Sequence, residues 1–133
     1  MAQPETSFQL LYVSHLASHC DFSVVKEIVD VARRSNPALG ITGALLFDGE
    51  RFCQLLEGGE PEVRALMRRI AADSRHTGVR VLDAGVFTAG LVMNHWASGY
   101  CDAHDLDVLD DATHAEASFI DQFIAVLNHA DIV

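Results

Sequence analysis

Residues 41–58 read Ile41-Thr42-Gly43-Ala44-Leu45-Leu46-Phe47-Asp48-Gly49-Glu50-Arg51-Phe52-Cys53-Gln54-Leu55-Leu56-Glu57-Gly58. Two apolar runs, 41–47 and 51–57, flank Asp48-Gly49, a pair suited to the positive φ angles of a two-residue type I′ turn, so the stretch predicts a β-hairpin. Apolar residues stand at odd and even positions in both runs: Ile41, Ala44, Leu45, Leu46 and Phe47, then Phe52, Cys53, Leu55 and Leu56. A strand with one wet face alternates apolar and polar residues, so this hairpin belongs in a sheet covered on both faces.

The covering layers are read on either side of it. Residues 8–14 are rich in strand formers, and alternation puts Phe8, Leu10, Tyr12 and Ser14 on one face. Ser23 can cap a helix in which Val25, Ile28, Val29 and Ala32 recur at helical spacing, stopping near Ser35-Asn36-Pro37. Pro61 suits the start of a second helix, with Val63, Leu66, Met67 and Ile70 at the same spacing. A fourth strand over 79–87 and a short fifth over 95–100 complete a β-α-β-β-α-β-β order. This predicts an α+β, ferredoxin-like fold: a mixed five-stranded sheet with two helices on one face. A last helix from about His114 to His129 is the candidate cover for the other face. On it Phe119, Phe123, Val126 and Ala130 form one apolar ridge, and Ile120, Ile124 and Leu127 an adjoining one. If only one ridge is buried, the other is a surface for self-association or a downstream protein partner, so a homo-oligomer or a partner complex through the C-terminal helix is expected.

Charge divides the chain of 133 residues at about Cys101. Residues 1–100 hold 11 acids and all 9 bases, whereas 101–133 hold 8 acids and no base. The expected organisation is a nearly neutral domain over 1–100 and an acidic helical extension over 101–133. Half of the residues are apolar and 21% are charged, which excludes disorder. The net charge of -10 argues against nucleic-acid binding. Neither a membrane-spanning stretch nor a basic-then-apolar leader is read, so a cytoplasmic protein is expected. Cys20, Cys53 and Cys101 are odd in number and lack metal-ligand spacing, and the groups His15/His19/Cys20 and His95/Cys101/His104 match no recognised metal pattern.

Three polar residues stand out because an unsatisfied buried amide costs about 1–3 kcal/mol. Gln54 lies mid-strand among apolar neighbours, Tyr12 is flanked by Leu10, Leu11 and Val13, and Asn36 ends the first helix. A phenol and two carboxamides would suit an aromatic heterocycle held between helices and sheet. Equally, Gln54 can satisfy a loose backbone group, Tyr12 can be a core tyrosine with a wet hydroxyl, and Asn36 can be a helix C-cap.

Leu11-Tyr12-Val13-Ser14, Ala32-Arg33-Arg34-Ser35-Asn36, the block from Leu39-Gly40-Ile41 to Glu57-Gly58 and Asp73-Ser74-Arg75-His76 resemble, in order and spacing, the BLUF family of blue-light sensors using flavin. The resemblance covers roughly residues 8–100. It implies a flavin between the two helices, FAD first, with FMN or riboflavin as alternative forms. It also implies that Tyr12 is the photoactive tyrosine, Gln54 the switching glutamine and Asn36 the asparagine bonded to the ring. Ser14 and Ser35 match positions lining the pocket, and Asp73, Arg75 and His76 the stretch near the ribityl and adenine side. Lys26, Arg33, Arg34, Arg68, Arg69 and Arg75 are all candidates for the phosphates. In the mechanism so implied, an electron and then a proton leave Tyr12, the proton by way of Gln54, and their return leaves Gln54 as a tautomer or a rotated amide. The chain departs from the family near a signal-relay strand: Trp96 matches, but Ser98 stands where a methionine is usual and Met93 where a phenylalanine is common. Ser98 would then replace a thioether beside Gln54.

The expected function is therefore a short, stand-alone blue-light receptor without an attached enzyme, signalling by protein contacts. A ferredoxin-like module binding another small ligand is the alternative, and an acylphosphatase-like hydrolase ranks last for want of an anion loop or a nucleophile-base pair.

Overall fold

A computed structural model describes residues 7–87, 93, 95–110 and 118–133. The order is β1 (Ser7–Leu16), α1 (Phe22–Ala38), β2 (Thr42–Phe47), β3 (Arg51–Gly58), α2 (Glu60–Ala72), β4 (His76–Phe87), β5 (Trp96–Tyr100), α3 (Ala103–Asp110), α4 (Phe119–Leu127) and β6 (Asp131–Ile132). The sheet runs β4-β1-β3-β2-β5-β6, with β2 and β5 parallel and every other neighbouring pair antiparallel. This is the α+β sheet that the hairpin predicts, extended from five strands to six by the two-residue β6, which is too short to carry a periodicity.

Local chemistry moves several boundaries. The hairpin is not a type I′ turn on Asp48-Gly49. In the turn Gly49 alone has a positive φ, 105°, and Asp48 keeps an ordinary backbone while its Oδ1 accepts the N–H groups of Glu50 and Arg51 at 2.9 and 2.6 Å. The side chain does what a left-handed Asp was expected to do. Helix α1 is capped by Asp21, whose Oδ1 accepts the Ser23 N–H at 2.9 Å, and not by Ser23. It also runs past Pro37 by half a turn: Leu39 N–H still reaches the carbonyls of Ser35 and Asn36. In β2, Gly43 has a φ of 137°, and a Cβ there would stand 1.9 Å from the Leu55 carbonyl oxygen. The close approach of β2 and β3 requires glycine at this position.

Both sheet faces are buried. Phe8, Leu10, Tyr12, Leu45 and Phe52 pack on the side of α1 and α2, whereas Leu11, Ala44, Leu46, Cys53 and Leu55 pack on the other side with Leu106, Leu109 and Phe123. Of the last helix expected from about His114 to His129, the described part is α4, and α3 is an additional helix upstream of it in the 101–133 extension; His114 and its neighbours over 111–117 lie outside the described residues, as do residues 1–6. His129 follows α4 and is exposed. Because α3 supplies Leu106 and Leu109 and contacts α4, Phe119, Ile120, Ile124, Val126, Leu127 and Ala130 all pack against the second-face core. The adjoining ridge of Ile120, Ile124 and Leu127 is thus half-buried rather than fully exposed. Arg51 fastens this layer to the hairpin: it donates to Asp48 Oδ2 at 2.9 Å, Asp107 Oδ1 at 2.6 Å, Asp110 Oδ2 at 3.3 Å and the Ala103 carbonyl at 2.9 Å.

Candidate functional site

Pairing across the sheet aligns Tyr12 with Gln54, Gln54 with Leu45, and Leu45 with Ser98. Tyr12 and Gln54 are both buried, and the phenol donates to Gln54 Oε1 at 2.5 Å. With its carbonyl engaged by the phenol, the carboxamide presents its NH2 end to another acceptor. Burial, aided by nearby Cys53 and Asp73, pushes the phenol well above its ordinary pKa. Tyr12 is therefore neutral at any physiological pH.

Above this pair a cavity of about 280 Å3 opens between α1 and α2. Tyr12 and Gln54 form part of its lining. Helix α1 contributes Ile28, Ala32, Ser35 and Asn36, and α2 contributes Leu66, Arg69 and Ile70. The apolar spacing of each helix supplies the walls. Asn36 is 3% exposed, yet its Nδ2 is buried with no hydrogen-bond partner. Such a group costs about 1–3 kcal/mol unless something accepts from it, so the cavity is chemically incomplete without an acceptor-bearing ligand. A flat heteroaromatic ring with carbonyl and ring-nitrogen acceptors fits that demand, and could accept from both amide ends, Asn36 Nδ2 and the Gln54 NH2.

The far end of the cavity is polar. Asp73, at the C-cap of α2, accepts the Arg75 backbone N–H at 3.0 Å and its guanidinium at 3.0 and 2.7 Å. These bonds hold the carboxyl below its ordinary range and raise the guanidinium. His76 lies beside them. Burial lowers its pKa by more than Asp73 raises it, and Arg75 lowers it further. Ser14 is not in the lining: it stands behind His76, with its Oγ 2.9 Å from Nδ1. Among the candidates for phosphate contact, Arg69 and Arg75 line this cavity, whereas Arg33 and Arg34 border a separate recess with Asp30.

Trp96 and Ser98 sit on the cavity side of β5. Trp96 packs with residues of the Tyr12 and Leu45 clusters, and its Nε1–H donates to Ser98 Oγ at 3.2 Å. Ser98 is not beside Gln54, because Leu45 intervenes. Met93 is on the opposite face, in the core with Leu11 and Phe123. Glu57, fully buried near the end of β3, went unread as a functional position. A charged residue closing an apolar strand was its signal, but a strand end is also where charge ordinarily meets water.

An α+β sheet with a slot between its two helices, lined by a buried phenol-carboxamide pair, defines a module for binding an aromatic heterocycle. The family described as BLUF, sensors of blue-light using FAD, matches residues 8–96, and the chain belongs to it. Its sequence is 40% identical over 70 residues, 53% of this chain, to the blue light- and temperature-regulated antirepressor BluF of Escherichia coli (strain K12). It is 30% identical over 90 residues, 66% of the chain, to the photoactivated adenylate cyclase subunit alpha of Euglena gracilis. It spans only 17% and 9% of those two proteins. The dark-state structure of the BLUF protein BlrB superposes with a TM-score of 0.72 at 27% identity, covering 96% of each chain. The BLUF domain is a blue-light flavin sensor and is not itself a catalyst. Among the described residues no helix is long and apolar enough to cross a membrane.

Proposed function

We propose that this chain senses blue light with FAD held between α1 and α2, and that its switch is the hydrogen-bonded pair Tyr12 and Gln54. The carrying observation is the 2.5 Å bond from the Tyr12 hydroxyl to Gln54 Oε1 at the cavity lining. Bound flavin supplies visible absorption and, on excitation, an acceptor for one electron. Tyr12 is the donor. A buried phenol that loses an electron must also lose its proton, and Gln54 Oε1 is placed to take it. When electron and proton return, Gln54 is left as the tautomer or the rotated amide, with donor and acceptor ends exchanged. Asn36 Nδ2 and Ser35 hold the ring, Asp73 fixes Arg75 along the chain beyond it, His76 is oriented by Ser14, and Arg69 and Arg75 face the phosphates. Those two arginines favour FAD or FMN over riboflavin.

Residues 1–100 form the sensor, and 101–133 the output, in a cytoplasmic protein. The signal passes through Trp96 and Ser98 on β5 to the acidic outer side of α3 and α4, which meets a protein partner or a second copy. Regulation of a partner protein, as the name antirepressor describes for the E. coli relative, is the corresponding activity. The purified chain should be yellow. Its visible bands should move slightly to longer wavelength under blue light and return in darkness, and acid extraction should release FAD. A colourless chain that takes up no flavin on reconstitution would overturn the reading.

A further inference from the structure

The light-sensing reading makes no use of Glu57, although it is a fully buried carboxylate. It lies three residues beyond Gln54 on β3, and on the opposite face. Its cross-strand neighbours are Gln9 on β1 and Thr42 on β2. Gln9 Nε2 donates to Glu57 Oε2 at 2.8 Å, and the Met93 backbone N–H donates to Oε1 at 2.7 Å. The Thr42 hydroxyl donates to the Met93 carbonyl at 3.1 Å. The backbone of Met93 is thus gripped at both its N–H and its C=O by side chains from adjacent strands. Two residues on, the His95 carbonyl accepts the Gly43 N–H at 3.1 Å, and β5 pairing begins at once with Trp96 opposite Gly43.

We propose that Glu57, with Thr42, is a positioning residue that fixes the register in which β5 joins β2, and so decides which face of the sheet Trp96 occupies. A strand slipped by one residue turns every side chain to the other face. In the register observed, Met93 is in the second-face core and Trp96 is on the cavity side. Parallel pairing to β2 leaves β5 without a hairpin turn to set its register, so the clamp at Met93 takes that role. The clamp would be a poor choice for stability alone, because a buried carboxylate must be fully hydrogen-bonded to be tolerated. The importance of Trp96 for signalling rests on the light-sensing reading; the clamp itself does not.

Trp96 is the only tryptophan, so its emission reports its own surroundings. The experiment reads Trp96 emission and acrylamide quenching of the full chain in darkness, after circular dichroism has confirmed folding. Glu57→Ala should shift the emission to longer wavelength and raise the quenching constant, because loss of one hydrogen bond raises the ratio of displaced to native register about two- to tenfold. Glu57→Gln keeps Oε1 as an acceptor and should restore the parent values, and Thr42→Val should move them as Glu57→Ala does, by less. A folded Glu57→Ala chain with parent emission and quenching overturns the proposal, as does a Glu57→Gln chain disturbed as much as the alanine variant. If Glu57→Ala does not fold, a Thr42→Val chain with parent values overturns it. Since the readout needs neither blue-light illumination nor a working photocycle, a failed photocycle leaves this outcome unaffected.

Discussion

Gln54 and Cys53 are adjacent on β3 yet belong to different environments. On the face of Gln54, the sheet and the two helices leave about 280 Å3 unfilled, and Asn36 Nδ2 has no partner. On the face of Cys53, Leu11, Leu55, Leu106, Leu109 and Phe123 are all buried in one packed cluster, and the buried carboxylate Glu57 has its oxygens engaged. Burial pushes the Cys53 thiol far above its ordinary pKa, as expected of an inert core residue. One face is built for stability and the other for a ligand. A period of two along the strand keeps the two roles apart in a sheet only one residue thick.

The largest expected effect falls on the ligand face. Tyr12→Phe keeps the ring volume and removes the donor to Gln54, so the reversible absorption shift should be lost or greatly diminished while flavin remains bound; a normal shift would separate the phenol from the switch. Leu55→Ala tests the second face. It should cost about 2–5 kcal/mol of unfolding free energy, measured by urea titration, and leave the light-induced shift intact once flavin is bound. Loss of the shift in a folded Leu55→Ala chain would show that the faces are not separable. Asn36→Leu should weaken flavin binding about tenfold, read by fluorescence titration, without lowering the stability of the flavin-free chain, because the side chain removed has an unsatisfied donor. The smallest effect is that of pH. His76 has a folded pKa below its ordinary 6.5, so the unfolded chain binds the proton more readily. Its contribution to stability is complete above about pH 6.5 and declines as the pH falls below it. Thermal unfolding between pH 7 and pH 5 should show that decline, and His76→Gln should flatten it.

Much of this division was legible in the sequence. The hairpin at 41–58 announced burial on both faces because its apolar residues do not alternate, and α1 and α2 announced themselves by spacing. Gln54 and Tyr12 were visible as polar residues in apolar runs, and the family resemblance gave them roles that residue type alone left open. Other features depended on distant partners. The additional helix α3, the packing of both ridges of α4 against the second-face core and the position of Ser98 beyond Leu45 follow from pairing and packing, which local spacing does not encode. Ser14 shares a strand face with Tyr12, as alternation predicts, but the histidine that separates it from the cavity arrives 62 residues later. Glu57 was hidden for the same reason: the backbone group it holds comes from the far side of β4.

Light-minus-dark absorption spectra of the flavin-loaded parent chain and of Gln54→Leu, recorded side by side, test the central claim most directly. The parent should show a small shift to longer wavelength that reverses in darkness, and Gln54→Leu should retain its flavin and show no reversible shift. A Gln54→Leu chain with the parent's difference spectrum would contradict the assignment of the switch to the Tyr12–Gln54 pair.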